Sequence, residues 1–127
     1  MIHIQVIDQF QGLVDESLLQ STASAVLKNE ECDPECELTI VIEDNPKLQE
    51  LNLGFLGIDA PTDVLSFPAG EIDPETGNTY LGDVIISYPK AKLQSESAGH
   101  PLVSELQLLI IHGTLHLLGY DHDTPEA

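Results

Sequence analysis

The sequence predicts an α+β fold: a single domain in which a mixed four-stranded sheet is packed with helices, the last a central helix carrying two histidines spaced to bind a metal. Three observations support this. Strand and helix patterns alternate at first and then two strands run together, which requires both parallel and antiparallel pairings. The 127 residues, 42% of them hydrophobic, are enough for one core without disulfide support. The stretch from Leu106 to Leu118 is apolar on nearly all sides, the pattern of a buried central helix.

In chain order, Ile2, Ile4 and Val6 alternate with His3, Gln5 and Ile7, a first strand with one well-buried face. Asp15 is placed to cap a helix running to about Lys28, with Leu18, Leu19, Thr22, Ala25 and Val26 as its apolar stripe. The β-branched run Leu38-Thr-Ile-Val-Ile42 reads as a second strand. Asn45 and Pro46 follow as cap and first residue of a short helix, with Leu48, Leu51 and Phe55 on its inner face and its end near Gly57. Asp63-Val-Leu-Ser-Phe67, bounded by Pro61 and Pro68, is a third strand whose prolines favour strand ends or a sheet edge. The turn-rich segment from Glu71 to Asn78 leads to a fourth strand, Leu81 to Ser87. Pro89 opens a helix that Gly99 stops, and Pro101 opens the last helix.

That last helix carries the run His112-Gly-Thr-Leu-His116-Leu-Leu-Gly-Tyr-Asp-His122. His112 and His116 are four residues apart and so share one face of a helix. Gly119 can adopt the left-handed conformation that turns the chain back, which would carry His122 to the same ion as a third ligand. Zinc suits neutral imidazole, and catalytic zinc sites use three protein ligands and leave a position for water, whose pKa can fall to about 7. The competing reading is of two core histidines bonded to backbone and a surface His122 in an acidic tail. Two imidazoles buried in so apolar a helix would then need separate partners, a difficulty that a shared metal removes.

The same spacing fits the metzincin proteases, but those carry a glutamate general base directly after the first histidine, where this sequence has Gly113. Asp121 and Asp123 are nearby carboxylates, read as solvated loop residues. Cys32 and Cys36 lie in a loop-like acidic segment that matches no common zinc spacing, and read as two ordinary thiols.

Aspartate and glutamate number 22 against four lysines and no arginine, a formal charge of −18. Such a field slows encounter with polyanions, although lysines such as Lys90 and Lys92, together with a metal, can make a local positive spot. No segment reaches the roughly 18 apolar residues of a membrane span. The first residues lack the basic start, apolar core and cleavage site of a secretory signal, so a cytoplasmic location is expected.

The histidine run resembles the signature of the YbeY family of zinc-dependent endoribonucleases, also described as ribosomal RNA maturation factors. Asp59-Ala-Pro-Thr-Asp-Val-Leu-Ser-Phe-Pro68 resembles that family's central strand segment, and Leu81-Gly-Asp-Val-Ile-Ile-Ser87 the strand after it, so the resemblance covers almost the whole chain. It implies one zinc ion held in a cleft by His112, His116 and His122. It also implies cutting of single-stranded RNA in maturing the end of small-subunit ribosomal RNA and in ribosome quality control, with the small subunit or its proteins as partners. No membrane and no DNA partner are expected. A ribosome-associated metal-binding factor with weak or no nuclease activity, and a metal-dependent peptidase, are the alternatives.

Two departures stand out. Leu56 occupies the place of an arginine usual in the family, and Leu53 that of another common basic residue. A guanidinium there could hold a phosphate bidentately, which leucine cannot, and Lys47, Lys90 and Lys92 are the cations left to substitute. Members also usually continue with a further helix after the histidine loop, whereas this sequence stops at Ala127, as a truncated chain or a short variant would.

Overall fold

The computed structural model describes residues 2–32, 35–60 and 62–119. The chain runs β1 (Ile2–Val6), a 3-10 turn (Asp8–Phe10), α1 (Glu16–Asn29), β2 (Glu37–Glu43), α2 (Asn45–Leu56), β3 (Val64–Ile72), β4 (Thr79–Ser87), α3 (Tyr88–Ala98) and α4 (Leu102–Leu117). The sheet order is β1-β2-β4-β3: β1 and β4 flank β2 in parallel, and β3 pairs antiparallel with β4 at the edge. This is the mixed four-stranded sheet that the element order requires.

Strand alternation divides the sheet into two unlike faces. Leu38, Ile40 and Ile42 of β2 and Val84 and Ile86 of β4 are fully buried and form the main core with Leu19, Ala23 and Leu27 of α1 and Leu106, Leu109, Ile110 and Leu117 of α4. On the other face, α2 packs on β3 and β4, and Leu48 of α2 and Leu65 of β3 are buried. Val41 and Ile85 share that face, whose Glu37 end is polar. Glu37 is buried there, accepting from Thr76 Oγ1 (2.6 Å) and paired with His3 Nε2 (3.2 Å). Those hydrogen bonds, Thr76 first and then His3, hold its carboxyl below the usual range against the opposing effect of burial. Beside it Thr39 Oγ1 meets Tyr80 Oη at 2.6 Å, and Tyr80 donates to Asp83. Burial, and then the Asp83 carboxylate, push the Tyr80 hydroxyl up to about 12.

Local signals set the helix ends. Asp15 accepts from Leu18 N (3.2 Å) at the start of α1, and Ser87 accepts from Lys90 N at the start of α3. Gly57 and Gly99 end α2 and α3 in the left-handed conformation.

Four expectations need correction. The buried stripe of α1 is Leu19, Thr22, Ala23 and Leu27, while Ala25 is exposed, because packing on β1 and α4 selects the i, i+4, i+8 row. Asp44, not Asn45, occupies the cap position of α2, since the Asn45 side chain is engaged by Ser87 Oγ (2.5 Å). In the same helix Leu48 and Asn52 are buried, whereas Phe55 is 68% exposed. Asn52 turns inward because its amide donates to the Ala60 carbonyl (2.9 Å) and pins the following loop. Finally, β3 runs past Pro68 to Ile72; the proline is tolerated because β3 is an edge and its register breaks between Pro68 and Glu71.

Candidate functional site

The site is built on α4, which packs on β3 and β4 with one side and on α1 and α3 with others. Its approach to the sheet is unusually close at Gly113. A Cβ there would lie 2.5 Å from Val84 Cγ1 and 3.1 Å from Ser66 Oγ. Ser66 Oγ then donates to the Gly113 carbonyl (3.0 Å), tying the edge strand to the helix turn between the two histidines. Gly82 makes the matching concession in the sheet, its φ of +140° and missing side chain leaving room for the β3 backbone and Leu117. The sequence singled out Gly113 as a missing base; packing gives the reason, since that position points into the sheet and has no space for a glutamate.

With Gly113 facing inward, His112 and His116 fall on the outer side of α4. His112 is exposed and His116 half-buried, one helical turn apart, which sets their Cβ atoms at about 5–6 Å. Leu108 (53% exposed) and Ile111 share this open side, so α4 is central but not enclosed, contrary to the expectation from its apolar sequence. Neither histidine is therefore a core residue. Both imidazoles lie at the surface, so the need for buried partners is no longer an argument for a metal; their spacing is.

Gly119 follows the end of α4 at φ +103°, a backbone conformation that favours glycine, and its N–H donates to the His116 carbonyl (3.0 Å). His122, with Asp121 and Asp123, lies outside the described residues. Among the described residues no group of three or more histidine, cysteine or acidic side chains is gathered as a metal cage. Two imidazole nitrogen donors one turn apart on one open helix face fit the donor chemistry of zinc. A recess of about 320 Å³ lined by Glu30, Cys32, Leu118 and Gly119 lies at this end of α4. Burial, and then Glu30, push the Cys32 thiol up.

The blocks flanking the site are structural anchors whose roles were not evident in the sequence. The Asp63 carbonyl accepts from Ser87 N (2.8 Å), and its carboxylate from Gln94 of α3 (3.2 Å), locking the start of β3 to the end of β4. Leu56 ends α2 with 60% of its surface exposed. Lys47 sits nine residues earlier, about 13 Å along the helix axis, and pairs with Glu50 (3.8 Å). It does not stand in for a cation at Leu56. Lys90 and Lys92 lie in the first half of α3.

A family model described as "Endoribonuclease YbeY" matches residues 5–127. The chain is 44% identical to an endoribonuclease YbeY of Dehalococcoides mccartyi, over 95% of this chain and 77% of that protein. It is 39% identical to one from Roseiflexus sp., over 99% and 82%. The solution structure of a Thermotoga maritima protein superposes with a TM-score of 0.61 at 30% identity, covering 96% of this chain and 75% of that one. No helix among the described residues is long and apolar enough to cross a membrane. Fold, histidine helix and near-complete coverage agree: the chain belongs to the YbeY family of endoribonucleases.

Proposed function

We propose that this chain is a zinc-dependent endoribonuclease that cuts single-stranded RNA in maturing the end of small-subunit ribosomal RNA and in ribosome quality control, working on the small subunit and its proteins in the cytoplasm. His112, His116 and His122 hold one zinc ion. The observation that carries this reading is the pair of imidazoles one turn apart on the open side of α4, in a chain of the YbeY family.

When bound, zinc supplies a Lewis acid for a phosphodiester oxygen and acidifies a water toward neutral pH. The chain's own residues provide placement. Gly113 seats α4 on the sheet, and Ser66 fixes β3 to it, so the histidine pair has one orientation relative to the edge strand. Leu56 leaves the end of α2 without the guanidinium that would stabilise charge on phosphorus. A peptidase role is disfavoured by the same packing, because the residue after His112 faces Val84.

The test is cleavage of a small-subunit ribosomal RNA fragment by purified protein, with chelator and then zinc added back. Cleavage that chelator abolishes and zinc restores supports the reading. Cleavage unaffected by metal removal contradicts it.

A further inference from the structure

The last turn of α2 presents an apolar surface that the fold does not use. Phe55 is 68% exposed, and Leu53, Leu56 and Ile58 around it are each about half exposed or more. Phe55 is nevertheless held in place: its ring meets that of Phe67 on β3 at a centroid distance of 4.9 Å and an angle of 54°, a favourable tilted pair. One ring face is supported by the strand while most of the side chain stays open.

The charge balance says what this surface suits. With 22 acidic residues and four lysines, one of them paired with Glu50, the protein can neutralise few phosphates. RNA affinity must then draw on an uncharged term, and base–aromatic stacking is the one that accepts any base. Position agrees with this. Phe67 follows Ser66, whose hydroxyl binds the Gly113 carbonyl between the two histidines. Strand alternation sends Phe67 and Ser66 to opposite faces of β3, so Phe55 and the histidine helix flank the same open edge of the sheet from its two faces.

Resting on the endoribonuclease reading above, we propose that Phe55, propped on Phe67, is a stacking platform for an unpaired base, and that it favours single-stranded over duplex RNA because only unpaired bases can reach it.

The test uses a short oligoribonucleotide carrying 2-aminopurine, whose fluorescence is quenched on stacking, with the full chain and its Phe55→Ala, Phe55→Leu and Phe55→Tyr variants, each checked for folding by circular dichroism. Phe55→Ala and Phe55→Leu should each weaken binding on the order of tenfold, with the quench lost and KM raised. Phe55→Tyr should keep both. Wild-type affinity or quench in Phe55→Leu, which retains apolar area but no ring, would overturn the platform while leaving the nuclease reading intact. A wild-type dimer that Phe55→Ala converts to monomer would assign the patch to a second copy instead. Wild-type protein that neither binds nor cuts RNA defeats the underlying reading and this one with it.

Discussion

The seating of α4 on the sheet can be tested by giving Gly113 a side chain. In an ordinary helix interior Gly→Ala stabilises by roughly 1 kcal/mol. At 113 the new methyl would lie 2.5 Å from Val84 Cγ1 and 3.3 Å from Cγ2, and Val84 is fully buried in a strand paired on both sides, so it has little freedom to withdraw. Overpacking of this kind costs about 1–3 kcal/mol, and the severity of the contact places it at the upper end. After the propensity gain, Gly113→Ala should destabilise by about 2 kcal/mol, a fall in Tm of about 8 °C for a domain of this size. Gly54 in α2 is the control: a Cβ there meets nothing within 4 Å, so Gly54→Ala should raise stability by several tenths of a kcal/mol or more. Val84→Ala alone should cost at least about 1.5 kcal/mol for two lost methyl groups, but combined with Gly113→Ala it should cost less than the sum of the two changes. Urea denaturation of the four variants measures all of this. A Gly113→Ala protein as stable as the wild type would refute the packing argument, and with it the reason offered for the missing glutamate.

Three further outcomes are expected. Glu37 has its carboxyl held low in the folded protein, so its charge stabilises the fold above its ordinary value of 4.5, and that stability is lost as pH falls through the lower folded value. The stability gap between wild type and Glu37→Gln should be full near neutrality and close below pH 4.5; a gap that does not change with pH in denaturation curves would contradict it. Thr114 Oγ1 is buried with no hydrogen-bond partner among the described residues, so Thr114→Val should be neutral or stabilise by up to about 1–2 kcal/mol, and a clear loss of Tm would show that the hydroxyl is engaged. Leu56→Arg, at an exposed helix end, should leave stability within about 0.5 kcal/mol while raising RNA cleavage and steepening the logarithmic salt dependence of binding by about 0.7 per phosphate gained. Unchanged cleavage would mean that the arginine is not what limits this chain.

Punctuation residues made most of the fold legible. Pro89 and Gly99 bracket α3, Pro101 precedes α4, and Gly57 closes α2, because each forces or permits a backbone conformation whatever surrounds it. Periodicity was less informative where apolar residues outnumber buried positions. Leu48, Leu51 and Phe55 form an acceptable inner face by spacing, yet Asn52 takes the inward place through its bond to Ala60, a tertiary contact that no local pattern encodes. In α4 the same excess hid the open side, since Leu108 and Ile111 are as apolar as the residues that pack. The histidine spacing was readable because placing two imidazoles on one helix face needs only the helix. Ser66 and Asp63 were not readable as anchors, because their partners lie 47 and 31 residues away in sequence.

Metal content read together with cleavage is the direct test of zinc at the histidine helix. Purified wild-type protein should retain one zinc per chain and cut single-stranded ribosomal RNA, and His116→Ala should lose both the zinc and the cleavage while remaining folded. A folded His116→Ala protein that still cuts the same RNA at the wild-type rate would contradict a zinc-dependent cleavage at this helix.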